Sequence, residues 1–209
     1  MLFVLAGVNG AGKSSIGGHL LRAQGMDWYN PDAFARELRA RTGCEQVDAN
    51  AMAWEEGMRR LAQAIESNTS FAFETTLGGK TITALLERAL SSGLEVRIWY
   101  VGLSSPELHL ERVKARVARG GHDIPAAQVR ARYDSSRLNL IRLLPRLTEL
   151  RVYDNSTEAD PRAGVPPVPA IVVHMVRGKI VESCRLARAP AWAKPILAAA
   201  LQTAATKQS

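Results

Sequence analysis

The 209-residue chain has no apolar run approaching the ~20 residues that a membrane-spanning helix requires. Its two cysteines, Cys44 and Cys184, are far apart and stand in no Cys-x-x-Cys or Cys/His spacing. That excludes a zinc site or a disulfide framework and suits reduced thiols in a cytoplasmic protein. No basic residue precedes the apolar start Leu2-Phe3-Val4-Leu5-Ala6 and no cleavage-like pattern follows it, so it reads as a buried strand and not as a signal peptide. Aromatic residues make up only 6% of the chain, and Tyr133 alone falls within its most basic stretch. A nucleic-acid groove built on base stacking would need more, so a nucleic-acid partner is not expected. Lysine is scarce as well: of 27 cations six are Lys and 21 are Arg.

The formal net charge of +7 is local. Between Arg112 and Arg151 there are ten cations and three acids, so the rest of the chain sums to zero. Such a distribution suits a polyanion site built on one segment better than an evenly basic coat. A hydrophobic content of 46% with 22% charged residues belongs to a globular domain, and the length suits one α/β domain.

Short apolar runs at 2–6, 70–74, 95–101 and 149–153 alternate with helical patterns near 15–23, 50–67, 80–91, 106–119 and 125–144, and Asn30-Pro31-Asp32 reads as the start of a further helix. Residues 27–29 suggest one more short strand. Strands alternating with helices predict a parallel sheet flanked by helices. After Asn155 the composition changes. Pro161 to Pro169 reads as a connection, Ile171-Val172-Val173 and Lys179-Ile180-Val181 flank Arg177-Gly178 as a hairpin, and an Ala-rich helix closes the chain near 190–204. The expected organisation is a core over 1–155, with an Arg-rich lid near 112–140, and an extension over 156–209 in the same domain.

Gly7-Val8-Asn9-Gly10-Ala11-Gly12-Lys13-Ser14 matches G-x-x-x-x-G-K-[ST] after an apolar strand and before a helix. Glycines let the backbone curl until its N–H groups converge on phosphate oxygens, and the next helix adds its positive end. Asn9, Gly10, Ala11, Gly12, Lys13, Ser14 and Ser15 are therefore the candidate ATP-binding residues. Lys13 would reach the β- and γ-phosphates and Ser14 would hold Mg²⁺. ATPase motors and transporter ATPases need a further apolar strand ending in Asp or Asp-Glu. Here Val96 to Val101 runs into Gly102, and the only acid that closes an apolar stretch is Glu74. A small kinase is the favoured class.

With Asn30-Pro31-Asp32, Glu74-Thr75-Thr76-Leu77, Arg116-Val117-Ala118-Arg119-Gly120-Gly121-His122-Asp123-Ile124-Pro125 and Arg130-Ala131-Arg132-Tyr133 following in order, the chain resembles zeta-toxin-like P-loop kinases over roughly residues 1–155. More narrowly, it resembles the standalone branch labelled predicted ABC-type ATPase. The resemblance implies a P-loop kinase fold and ATP-dependent phosphorylation of a UDP-amino sugar such as UDP-N-acetylglucosamine. It implies Asp32 as the acid that accepts the acceptor hydroxyl's proton, Asn30, Glu74 and Thr76 at the substrate, and lid arginines on the ATP phosphates. Those are Arg116, with Arg119 near it, and one of Arg130 or Arg132, a choice the spacing leaves open. It also implies a separate antitoxin protein as a partner.

Each residue also has a plainer reading. An acid in the first helical turn, as at Asp32, is favourable to the helix dipole without any catalysis. Glu74 would serve equally as a Mg²⁺ outer-sphere group or as a strand-end acid, and His122 as a loop-orienting residue. Arg112, Arg116 and Arg119 at i, i+4, i+7 share a helical face, with few acids nearby in sequence to pair with them. Competing functions are a polynucleotide kinase or nucleic-acid-binding NTPase, suggested by the high pI, and a nucleotide-binding regulator without turnover.

Overall fold

The computed structural model describes residues 1–23, 25–157 and 169–207. Among them the order is β1 (Leu2–Ala6), α1 (Lys13–Ala23), α2 (Pro31–Thr42), α3 (Gln46–Glu66), β2 (Phe71–Thr75), α4 (Lys80–Ser91), β3 (Val96–Gly102), α5 (Pro106–Val117), α6 (Ala126–Leu143), β4 (Glu149–Asp154), β5 (Ala170–Val176), β6 (Lys179–Ser183) and α7 (Lys194–Thr206), with short 3-10 turns at Leu144–Arg146 and Leu186–Arg188. The expected connection at 161–169 lies, except for Pro169, outside the described residues.

The six strands form one sheet in the order β2-β1-β3-β4-β5-β6. β2, β1, β3 and β4 run parallel, and β5 and β6 add antiparallel to β4. β1 is buried at every residue, as befits a strand covered on both faces. Its side chains alternate accordingly. Leu2, Val4 and Ala6 join Ile98, Tyr100, Leu150 and Val152 in the main core, while Phe3 and Leu5 join Trp99 and Val101 in a smaller one with Leu21 of α1.

The segment after Asn155 completes the sheet and its core. Arg177 and Gly178 turn the hairpin with φ of 48° and 81°, the left-handed pair that a tight two-residue connection needs. Met175, Trp192, Ile196 and Leu197 enter the main core. Residues 27–29 fall short of the expected strand. Tyr29 makes one bridge to Phe73, exchanging Tyr29 N to Ala72 O and Glu74 N to Tyr29 O at 2.8 Å each, before Asn30 caps α2. α5 ends at Val117, earlier than the glycines predict, and Gly120 follows in a left-handed turn.

This topology brings the C-terminal ends of β1, β2, β3 and β4 to one edge, carrying Gly7, Glu74, Gly102 and Asn155. In open parallel sheets that edge is where ligands bind.

Candidate active site

The loop between β1 and α1 lies at the centre of that edge. Lys13 is 7% exposed, with Nζ 3.4 Å from the Val8 carbonyl and 3.5 Å from a Glu74 carboxylate oxygen. Ser14 Oγ donates to Glu74 Oε2 at 2.9 Å, and Asn30 Nδ2 donates to the same oxygen at 3.0 Å. Asn30 also caps α2 by accepting from Ala33 N at 3.1 Å. Residues from the loop, from β2 and from the start of α2 therefore share one polar cluster. Glu74 reaches it because β2 is hydrogen-bonded directly beside β1, with Leu5 opposite Glu74.

Around this cluster opens a cavity of about 720 Å³ whose lining includes Asn9, Lys13, Asn30, Asp32, Glu74, Thr76, His122 and Arg132. Asp32, in the first turn of α2, receives Arg116 Nη1 at 3.4 Å on one oxygen and has His122 Nε2 3.9 Å from the other. Arg116 Nη2 also donates to the His122 carbonyl at 3.1 Å, tying the loop after α5 against the α2 acid. Arg132 Nη1 donates to Asn9 Oδ1 at 3.0 Å, and burial holds its pKa below the usual arginine value while Asp32 opposes that shift.

Among the arginine candidates the structure thus brings together Arg116 and Arg132. Arg130 is exposed and paired with Glu107 of α5, and Arg119 donates to the Ala115 carbonyl beyond the end of α5. Of these four arginines Arg132 alone is a lining residue of the cavity, and Arg116 reaches it through Asp32. Two residues along a helix is a rotation of about 200°, so Arg130 and Arg132 cannot face the same site. The scarcity of acid partners expected from sequence is corrected here: Arg137 pairs with Asp134, Arg142 with Glu87, Arg151 with Glu149 and Arg116 with Asp32. α6 is also fastened to the β2–α4 loop, through Ser136 Oγ to Thr76 O at 2.6 Å, Ser135 Oγ to Gly78 O and Asn139 Nδ2 to Leu77 O. Ser15 sits exposed in the first turn of α1.

Two groups of lining or supporting residues were not singled out from sequence. The N-terminal half of α3 contributes Gln46, Asn50 and Trp54 to the cavity wall, and the Trp54 ring is 50% exposed. The i, i+4, i+8 spacing and an exposed tryptophan are the signals that could have found them. His109 of α5 is 1% exposed and bonds through Nδ1 to the Asn9 carbonyl at 2.8 Å. It lies four residues before buried Val113, on the apolar stripe, where a histidine reads as core.

Burial pushes the His109 pKa down from 6.5 to about 4, and the nearby charges of Lys13 and Arg112 push the same way. The ring is thus neutral in the folded chain at a pH where the unfolded chain binds a proton. Stability is complete above pH 6.5 and is lost as pH falls toward about 4, by roughly 3 kcal/mol from this group. Urea titrations between pH 7 and pH 5 check this: His109→Asn flattens the slope relative to wild type, and equal slopes would refute it.

Comparison with known proteins follows the same lines. The model of a family described as an AAA domain matches residues 2–137. The chain belongs to that family. A Haemophilus influenzae relative, itself uncharacterised, is 31% identical over 133 residues, covering 61% of this chain and 88% of the relative. Structures of the AvrRxo1-ORF1:AvrRxo1-ORF2 complex resemble it with sulfate ions (TM-score 0.59, 20% identity, 86% of this chain and 60% of that one) and with ATP (TM-score 0.58, 20% identity, 86% and 59%). The chain therefore spans about three fifths of the length of the chain it matches there. The PezAT chromosomal toxin–antitoxin system of Streptococcus pneumoniae resembles it at a TM-score of 0.51 and 15% identity, over 80% of this chain and 74% of that one. At such identities the likeness is one of fold, a P-loop fold with a mostly parallel six-stranded sheet flanked by helices.

Proposed function

We propose that the protein is a zeta-toxin-like kinase that transfers the γ-phosphoryl group of ATP to a hydroxyl of a small metabolite, best matched by a UDP-amino sugar such as UDP-N-acetylglucosamine. One observation carries the reading: the phosphate loop and the Asp32 carboxylate face a single cavity, with Lys13 at its floor and Arg132 on its wall. The ATP phosphates would lie on Gly10 to Ser14, with Lys13 against the β- and γ-oxygens. Asp32 would accept the acceptor's proton as its oxygen attacks the γ-phosphorus and the bond to the β–γ bridging oxygen breaks, releasing ADP. Arg116 holds the Asp32 carboxylate in place with His122 beside it, and Arg132 would face the transferred group.

The donor set at the loop fits a magnesium ion. The Ser14 hydroxyl and the Glu74 carboxylate lie 2.9 Å apart beside the loop, and Mg²⁺ takes one or two such oxygens with phosphates and water completing its shell. When bound, the ion neutralises charge on the phosphoryl oxygens. Glu74 then belongs to the nucleotide side of the site, leaving Asn30 and Thr76 for the acceptor.

The acceptor end is supported by α3. Gln46 accepts from Arg39 and donates to Asn50 Oδ1, each at 2.8 Å, so the Asn50 amide N–H groups remain to donate beside the flat Trp54 ring. An antitoxin partner is part of the same proposal, supported by the likeness to a toxin–antitoxin system. A cytoplasmic location is also proposed; among the described residues no helix is long and apolar enough to cross a membrane.

ADP release screened over UDP-sugars, nucleotides, dinucleotides and single-stranded RNA tests the function. UDP-N-acetylglucosamine is expected to stimulate release and to return as a phosphorylated product. Stimulation by RNA alone would shift the reading to a polynucleotide kinase, and no stimulation by any acceptor would sink the kinase reading.

A further inference from the structure

Anion-binding loops work only if the backbone N–H groups face the ligand and the carbonyls face away, because a carbonyl turned inward sets its negative end against phosphate. The Gly7–Ser14 loop closes on itself through one internal backbone bond, Ala11 N to Val8 O at 3.1 Å, and the Lys13 ammonium bonds the same carbonyl. The carbonyls of Asn9 and Ala11 are held from outside. His109 Nδ1 meets Asn9 O at 2.8 Å, and Asn155 Nδ2 meets Ala11 O at 2.9 Å. A carbonyl only accepts, so the neutral His109 ring must carry its proton on Nδ1.

Both side chains are almost wholly buried, His109 at 1% and Asn155 at 5% exposure. Asn155 Oδ1 has no hydrogen-bond partner among the described residues, so the polar work of that buried amide is its single bond to the loop. The approach is close on both sides. A Cβ at Gly10 would lie 2.6 Å from the His109 carbonyl, and one at Gly12 2.7 Å from Asn155 Nδ2, at φ of 85° and 86°. Arg132 fixes the Asn9 side chain from a third element.

We propose that His109 and Asn155 are positioning residues that keep the Asn9 and Ala11 carbonyls turned out of the phosphate site, and so set the affinity for the nucleoside triphosphate. This rests on the reading that the loop binds ATP. Neither residue itself lines the cavity, and their bonds go to loop carbonyls, so they act on the nucleotide and not on the acceptor.

The test compares His109→Leu, His109→Asn and Asn155→Leu with wild type in the full chain. Readouts are binding of a fluorescent ATP analogue, the KM values for ATP and acceptor, thermal melting at pH 7.5, and hydrogen exchange of the Gly10–Ser14 amides. His109→Leu and Asn155→Leu are expected to weaken ATP binding roughly 5- to 100-fold, the cost of leaving one buried carbonyl without its donor. Acceptor KM stays put, and loop exchange accelerates. His109→Asn, which keeps a donor near the Nδ1 position, recovers most of the affinity. Equal loss in the Leu and Asn variants, or unchanged ATP binding in a Leu variant that melts like wild type, overturns the proposal. If one Leu variant fails to fold, the other and His109→Asn decide it. Should wild type bind no ATP, the kinase reading fails, and loop exchange alone then judges the brace: unchanged exchange refutes it.

Discussion

Asp32→Asn is expected to lower kcat by about 10²- to 10⁴-fold, the range in which a positioned general base contributes, with ATP binding intact. The substitution is nearly isosteric. Asn30 still caps α2 through its own side chain, and an asparagine oxygen can still accept from Arg116, so the wall of the cavity keeps its shape. What disappears is the negative charge that receives the acceptor's proton. The competing account of Asp32 is an acid placed for the helix dipole, worth about 0.3–1 kcal/mol of stability and nothing in kcat. Steady-state kinetics beside a thermal melt separates the two. Loss of kcat with little change in melting supports the base; full kcat with a slightly lower melting temperature removes Asp32 from the chemistry. Arg116→Ala should follow Asp32→Asn in direction, since without it the carboxylate loses the contact at 3.4 Å that aims it.

Much of the fold was legible because its signals are local. A continuous apolar run followed by glycines and Lys-Ser specifies strand, loop and helix within fourteen residues. Arg177-Gly178 between β-branched runs specifies a hairpin, and both residues adopt the left-handed conformation. The site was legible only where a motif carried it. Partners on neighbouring helices were not: Arg130 of α6 meets Glu107 of α5 and Arg142 of α6 meets Glu87 of α4 through tertiary packing, so counting neighbours in sequence overstated the free positive charge. Glu74 reads from sequence as a substrate contact, a Mg²⁺ outer-sphere group or a strand-end acid, and it is the placement of β2 beside β1 that brings it to Ser14 and Lys13. His109 gave no signal as a loop contact, because a buried histidine on an apolar stripe and one bonded to a distant carbonyl are the same letter.

The second large effect expected is that of Lys13→Ala, which combines two losses that a further pair of variants can separate. Removing the ammonium takes away a charge aimed at the phosphates, and a preorganised donor of this kind contributes roughly 10²–10³ in kcat. It also strips Glu74 of its cation in a pocket where both side chains are nearly enclosed, at 8% and 10% exposure. Leaving one partner of a buried pair uncompensated costs about 3–5 kcal/mol, and since Ser14 and Asn30 still donate to Glu74, the loss falls at or below the lower end. Lys13→Met keeps the stem and removes only the charge. Adding Glu74→Gln then removes the orphaned carboxylate, so the double variant recovers melting temperature while phosphoryl transfer stays at or below the level of Lys13→Met, since that carboxylate is also a proposed magnesium group. If the double variant instead recovers turnover, the deficit was one of folding and Lys13 does not act on the phosphates. If neither variant changes melting, the Lys13–Glu74 contact carries no stability, and the whole effect of Lys13→Ala belongs to catalysis.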